Sequence, residues 1–397
     1  MPYHDLHIMD LSMPAPHPSS TLLEAFDHQD EVFSRAFAIL QEAIDRQAFP
    51  AASIAVTHQG SLIALKALGR FTYEPGAPSF ASFAKGGQGE VNPSTLFDLA
   101  SLTKVVATTP AAMLLYERGL LDLEAPVSAI VPEFTADPAK DSRRCEVTLR
   151  MLLAHSSGLP AHEKFFLKAR TRNELLQAAF TTPLAVDPAS RVEYSDVGFI
   201  ILGVALERLA DESLDRFCQR EIFAPLGMIN TTFNPPPEIR AKIPPTADDQ
   251  TFRKRLIQGE VQDENASVLG GVAPHAGLFS TAEDLTKFAQ VMLNQGSPIL
   301  RPETIALFTR REPAPSSTSR ALGWDTPSAS SLSGKYFSPQ SFGHLGYTGT
   351  SLWIDPTRQL SITLLTNRTW PDCSNQAIKQ ARPKFHDAII EALDKKN

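Results

Sequence analysis

The sequence predicts an α+β fold, in which one antiparallel sheet is assembled from both ends of the chain and flanked by terminal helices, with a second, mainly helical lobe from the middle. Three observations point to it. Residues 52–57 and 62–68 are β-like runs joined at His58-Gln59-Gly60, a hairpin signal. Residues 350–354 and 360–366 form a second pair, turned at Asp355-Pro356-Thr357-Arg358. Between the pairs, from Ser101 to about Leu226, apolar residues recur mostly at helical spacing. A sheet must cover its apolar face, and helices beside the two hairpins do this most economically. The expected division is a poorly ordered tail over 1–30, a sheet-containing lobe from 31–100 and 270–397, and a mainly helical lobe from 101–269. The active site is expected at the lobe interface, where clefts form.

The elements follow in order. Phe33, Ala36, Phe37, Leu40, Ala43 and Ile44 mark the first helix. Residues 71–93 are rich in Gly, Pro and Ser and read as a long loop. Pro110 lies within the helical pattern after Ser101 and is expected to kink or divide it. Residues 234–269 read as loop. Ser280-Thr281-Ala282-Glu283 has the capping-box pattern, and Leu285, Phe288, Ala289, Met292 and Leu293 carry that helix to Gly296. Residues 313–341 are Ser- and Pro-rich and predict a surface excursion. A last helix is expected over 383–393.

Composition narrows the function classes. The chain has 397 residues, 43% hydrophobic and 20% charged, with a net charge of −7, which gives no support for nucleic-acid binding. Three cysteines, Cys145, Cys218 and Cys373, form no C-x-x-C and cannot all pair, so a reducing compartment is expected. No apolar run reaches the ~18–20 residues of a membrane span. The first 28 residues lack a basic start followed by an apolar block, which points to a cytoplasmic protein; a periplasmic or secreted one follows if a leader was removed. The scattered His4, His7, His17 and His28 lack ligand spacing, and no metal site or cofactor is expected. H-E-x-x-H and G-x-S-x-G are absent, which disfavours a zinc protease or an α/β-hydrolase.

Four stretches bear on chemistry. Ser101-Leu102-Thr103-Lys104 reads S-x-x-K and opens a helical pattern. Residues three apart on a helix share a face, so the hydroxyl and the amine point the same way. A serine hydroxyl is a weak nucleophile until a neighbouring base takes its proton. The tetrapeptide alone is equally a capping serine with a first-turn lysine. A second copy, Ser82-Phe83-Ala84-Lys85, runs into Gly86-Gly87-Gln88-Gly89 and reads as loop. Tyr194-Ser195-Asp196 precedes an apolar helix; it places a phenol at a loop-to-helix junction, or is simply a boundary tyrosine beside a cap. His344-Leu345-Gly346-Tyr347 opens the C-terminal hairpin, with glycines that permit close backbone approach; a buried structural histidine is the plainer reading. His155-Ser156-Ser157-Gly158-Leu159-Pro160 reads as a helix end closed by Gly and Pro, a support loop.

The order and approximate spacing of Ser101-x-x-Lys104, Tyr194-x-Asp196 and His344-x-Gly346 resembles the serine β-lactamase-like superfamily. The likeness is to the class C branch, which holds class C β-lactamases, D-alanyl-D-alanine carboxypeptidases, D-aminopeptidases and esterases. Leu152 to Pro160, Pro225-Leu226-Gly227-Met228 and His275-Ala276-Gly277-Leu278-Phe279-Ser280 add to it. It runs from about Phe33 to Asn367 and leaves residues 1–30 and about 313–340 uncovered. The resemblance implies a β-lactamase-like fold and two-step acyl transfer. Ser101 would form the acyl-enzyme, Lys104 and Tyr194 would shuttle its proton, and the backbone N–H groups of Ser101 and Tyr347 would form the oxyanion hole. Asp196, His344, Leu345 and Gly346 would line the substrate, a small-molecule ester or amide.

Two positions depart from the pattern. Most relatives have Asn where Asp196 stands. A carboxylate there would favour charged Lys104, which in turn is expected to lower the Tyr194 pKa and leave Tyr194 as general base. A phenol brought from ~10 toward ~7–8 needs about 3–4 kcal/mol of differential stabilisation. Leu345 offers no hydroxyl where relatives that bind a substrate carboxylate usually have Thr or Ser, so weaker carboxylate binding is expected. A carboxylesterase is therefore ranked first, a D-amino-acid peptidase or amidase second and a β-lactamase third, with a catalytically silent binding protein as the reading from another class.

Overall fold

The computed structural model describes residues 23–26, 28–73, 89–135, 141–316 and 318–395. The second S-x-x-K at Ser82–Lys85 and most of the expected tail lie outside them. The end of that tail is structured. Leu23–Glu24 (β1) pairs parallel with the edge of the sheet, and Gln29–Val32 forms a helical turn.

Both hairpins form. Ala51–His58 (β2) and Ser61–Gly69 (β3) are joined by Gln59 at φ 50° and Gly60 at φ 78°. Positive φ at both central residues is the two-residue turn whose twist matches that of the flanking strands. Further along come Phe97–Asp98 (β4), Thr232–Phe233 (β5), Pro245–Asp249 (β6), Arg255–Gln258 (β7) and Leu278–Ser280 (β8). Phe342–Leu345 (β9), Ser351–Asp355 (β10) and Leu360–Thr366 (β11) complete the set. The main sheet runs β1-β3-β2-β11-β10-β9. Its centre is the antiparallel β2–β11 seam, with His58 opposite Leu360 and Ala52 opposite Thr366. Asp355 turns the second hairpin by accepting the N–H groups of Thr357 and Arg358.

The sheet is covered on both faces. Ala52, Ile54, Val56, Leu360, Ile362 and Leu364 pack against the helices Ser34–Asp45 and Ile378–Asp394. The opposite face, with Ala51, Ala55, Leu352, Ile354 and Leu365, joins the main core around the Ala282–Leu293 helix and the helical middle. β4, β8 and β5 make a small sheet beneath that lobe. No helix among the described residues is long and apolar enough to cross a membrane.

Four local expectations need correction. The last helix begins at Ile378 and carries Pro383 within it. Ile378, Ala381, Phe385, Ala388 and Ile389 keep one buried face across the proline, so packing outweighs the lost hydrogen bond. The cap of the Ala282–Leu293 helix is Thr281, whose side chain accepts the Asp284 N–H, one residue later than the capping box predicted. Residues 234–269 are not all loop; they hold the β6–β7 hairpin and a short helix, Glu264–Val268. Residues 313–341 are not a surface excursion, because Ala321, Leu322 and Trp324 are fully buried. Trp324 meets Phe342 edge to face with centroids 5.0 Å apart.

Phe385 is fully buried between the last helix and the sheet. Phe385→Ala is expected to lower unfolding stability by about 3–5 kcal/mol, read as a lower urea midpoint with unchanged slope.

Candidate active site

The site is built on a strained turn. Ala100 has φ 47°, and its N–H is held by Asp98 Oδ1 at 2.8 Å. A non-glycine residue in this region persists only when its surroundings hold it there. Ser101 follows on a 3₁₀ turn, Ala100–Leu102. The chain then widens into a π turn, Lys104–Thr108, before the α-helix Thr109–Glu117. Pro110, without an N–H, divides the segment as its position predicted. Thr108 Oγ1 donates to Pro274 O and Lys104 Nζ to His275 O, which ties this segment to the stretch before β8.

Three distant stretches meet here. Lys104 Nζ donates to Ser101 Oγ at 3.1 Å, and Tyr194 Oη donates to the same oxygen at 2.9 Å. Lys104 Nζ also lies 2.7 Å from Asp196 Oδ1. Its three donors are thereby engaged by Ser101, Asp196 and the His275 carbonyl. The side chain of Lys104 is wholly buried, whereas Ser101 is half-buried. Tyr194 and Asp196 reach the site from the start of the Asp196–Ala210 helix, which Ser195 caps through the Gly198 N–H.

The electrostatics differ from expectation in one respect. Asp196 holds Lys104 in the ammonium form: burial pushes its pKa down, but the combined pull of Asp196 and Tyr194 leaves it above the ordinary value. The carboxyl of Asp196 is driven well below its usual range, burial being outweighed mainly by Lys104. Tyr194 does not show the expected drop. Burial raises its pKa, the Asp196 charge adds to this, and the opposing pull of Lys104 is insufficient. The resting phenol is protonated and donates to Ser101.

The remaining predicted residues divide. His344 is buried with its ring 5.8 Å from that of Tyr194. Its Nδ1 donates to Leu345 O at 2.7 Å, and Nε2 has no hydrogen-bond partner among the described residues. Burial, then the charges of Lys104 and Arg320, keep the ring neutral. Leu345 is not brought to the site. Its side chain packs with the terminal-helix core, since successive strand residues point to opposite faces. Gly346 acts through its missing Cβ, which would be driven into Leu99 O and Thr350 Oγ1. That close approach lets Thr348 and Thr350 donate to the carbonyls of Asp98 and Leu99, at 2.8 and 2.9 Å. The backbone of Tyr347 is thereby anchored to the strand that leads into Ser101. His155, in the expected support loop, accepts the Ser195 N–H at 3.0 Å and lies 4.6 Å from the Tyr194 ring.

Sequence reasoning missed three residues. The carbonyl of His275 accepts a hydrogen bond from Lys104 Nζ, and the His275 Nε2 contacts Asp263 Oδ1 at 3.1 Å. His162 Nδ1 stands 3.8 Å from Asp196 Oδ2, and Asp196 chiefly raises its pKa. Arg320 lies over the Tyr194 ring with Cζ 5.3 Å from the centroid. It comes from the segment misread as a surface excursion, and no local signal marked it.

A family model described as Beta-lactamase matches residues 36–382. A putative D-alanyl-D-alanine carboxypeptidase of Salmonella agona (strain SL483) is 34% identical over 314 residues, 72% of each chain. Among solved structures, EstCE1, a hydrolase with promiscuous acyltransferase activity, has a TM-score of 0.71 at 21% identity over 91% of this chain and 99% of its own. A class C β-lactamase from Rhodobacter sphaeroides has a TM-score of 0.66 at 21% identity, covering 90% of this chain and 99% of its own. The chain belongs to the beta-lactamase family, with the β-lactamase-like α+β fold, and is a serine hydrolase of that family.

Two tests follow. Gly346→Ala is expected to cost about 1–3 kcal/mol in urea unfolding, because both the hydrogen-bonded Thr350 hydroxyl and the Leu99 carbonyl must yield. Asp196→Asn removes a charge that raises both the Tyr194 and the Lys104 pKa. Both shifts have one sign, so the ascending limb of kcat/KM against pH is expected to move to lower pH. A limb that stays put or moves up would refute this electrostatic account.

Proposed function

We propose that the protein is an acyl hydrolase that forms an acyl-enzyme on Ser101, with small or medium esters as its first substrates. The observation that carries this is the convergence of Lys104 Nζ and Tyr194 Oη on Ser101 Oγ, at 3.1 and 2.9 Å. In the first step Ser101 Oγ attacks the carbonyl carbon and its proton passes to the Lys104–Tyr194 pair. The pair must hold one proton fewer than at rest, either as phenolate beside ammonium or as phenol beside amine. Its apparent pKa therefore belongs to both groups. The developing oxyanion lies at the backbone N–H groups of Ser101 and Tyr347, a typically large electrostatic contribution. Collapse breaks the bond to the leaving group, which takes the proton back. Water then attacks the acyl-enzyme by the same route and frees Ser101.

Esters rank first because an alkoxide leaves with less help from a proton than an amine does. The Lys104 proton is pinned to Asp196 at 2.7 Å, so protonation of the leaving group falls mainly to Tyr194. A D-amino-acid peptidase is the second reading, favoured by the 34% identity to the Salmonella putative carboxypeptidase. The expectation of a cytoplasmic location stands as part of this proposal.

Labelling with a fluorophosphonate, read by mass at Ser101, is expected in the wild type and absent in Ser101→Ala. Tyr194→Phe and Lys104→Ala should each lower turnover of p-nitrophenyl butyrate by about 10²–10⁴-fold. Preference for D-alanyl p-nitroanilide or nitrocefin over p-nitrophenyl esters would overturn the ester ranking. No adduct at wild-type Ser101 would favour a silent binding protein.

A further inference from the structure

We infer that Asp98 is a positioning residue for the nucleophile: its ionised carboxylate fixes the strained turn before Ser101 against the loop at Gln262. This rests on the acyl-hydrolase reading above and goes on to how its nucleophile is aligned.

Asp98 ends β4, just ahead of Ser101, and is buried with no ion pair among the described residues. Its two carboxylate oxygens serve different partners. Oδ1 accepts the Ala100 N–H at 2.8 Å, and Oδ2 accepts the Gln262 N–H at 2.7 Å. Capping the turn alone needs one acceptor, which a neutral side chain gives without the cost of a buried charge. Two N–H groups from distant segments need two acceptors on one side chain. A carboxylate supplies both, whereas an asparagine would turn its NH2 group on one of them.

Each partner leads to the chemistry. Ala100 sits at φ 47°, and the next peptide unit carries the Ser101 N–H, one of the two proposed oxyanion donors. That N–H must face the substrate oxygen while Ser101 Oγ meets Lys104 and Tyr194, so a small rotation of the turn misaligns both. Gln262 precedes Asp263, which contacts His275 Nε2 at 3.1 Å, and the His275 carbonyl accepts from Lys104. Arg253 holds the same loop through the carbonyls of Val261 and Gln262. The Asp98 carbonyl accepts the Thr348 hydroxyl, from the loop that bears Tyr347. One residue therefore touches the nucleophile turn, the oxyanion loop and the segment behind Lys104.

Burial raises the Asp98 pKa to about 6, against the pull of the two N–H groups. Of the charged groups that face it, Asp263 raises it further and Arg253 lowers it. The carboxylate thus loses its charge, and weakens as a double acceptor, as pH falls through about 6. The folded pKa lies above the unfolded one, so protonation of this group favours the folded state as pH falls. Loss of activity in that range is then misalignment and not unfolding.

The test uses p-nitrophenyl butyrate. Asp98→Asn should keep a cooperative unfolding transition and lower kcat about 10- to 100-fold, with KM changed less than about threefold, because acylation and deacylation share one oxyanion site. In the wild type, log kcat/KM should rise with pH at a slope of about one, from the Lys104–Tyr194 pair, and steepen toward about two below about pH 6. The steepening should vanish in Asp98→Asn and persist in His162→Gln, which removes the imidazole beside Asp196. Should Asp98→Asn fail to fold, the wild-type and His162→Gln profiles still decide. A wild-type limb of constant slope, steepening lost in His162→Gln or kept in Asp98→Asn, near-normal kcat in Asp98→Asn, or a loss carried by KM alone would each overturn the inference and leave the hydrolase reading intact. No turnover by the wild type and no fluorophosphonate adduct at Ser101 would overturn both.

Discussion

The buried contact between Lys104 and Asp196 is the constraint on which the site depends. An ammonium group with no solvent access is costly unless a carboxylate and further acceptors surround it. Here the carboxylate is 2.7 Å away, and Ser101 Oγ and the His275 carbonyl take the other two protons. The pair joins the nucleophile segment to the start of the Asp196–Ala210 helix, and the carbonyl adds the stretch before β8. Neither charge can be placed until all three pieces are packed. Burial chiefly keeps the neighbouring Tyr194 phenol in its neutral form, and the Asp196 charge adds to this against the pull of Lys104.

A second set of contacts fixes what lies opposite. The loop between β9 and β10 is fastened to the β4 strand by Thr348 and Thr350, and Gly346 makes room for it. The oxyanion position proposed for Tyr347 thus depends on hydroxyls and a missing methyl group that never touch substrate. Arg368 adds to this from the end of the sheet: its Nε donates to Tyr347 O at 2.7 Å and its guanidinium stacks on the Tyr347 ring. Rigid supports of this kind let a site keep its donors aligned before substrate arrives.

Much of the fold was legible because strong local signals agreed with the tertiary outcome. The Gln59-Gly60 turn, the Asp355 turn and the amphipathic first helix each follow from residues within a few positions. The nucleophile segment and the Tyr194 junction were legible through motif order. What failed were the places where distant contacts outvote local chemistry. Pro383 signals a helix start, yet the buried face beginning at Ile378 overrides it. Ser and Pro between 313 and 341 signal surface, yet Trp324 anchors that stretch in the core and delivers Arg320 to the site. The Tyr194 pKa went astray because only the Lys104 charge was weighed, while burial of the phenol, the largest effect, and the Asp196 charge both raise it.

The β2–β11 seam joins residues 52–58 to residues 360–366, so the sheet's centre unites segments some three hundred positions apart in sequence. On a ribosome, the early hairpin must wait with one long edge unsatisfied until nearly the entire polypeptide has emerged. Such non-local closure is slow and leaves a sticky edge available to other chains. Production of this protein should therefore be governed less by its final stability than by how well that waiting edge is shielded during synthesis.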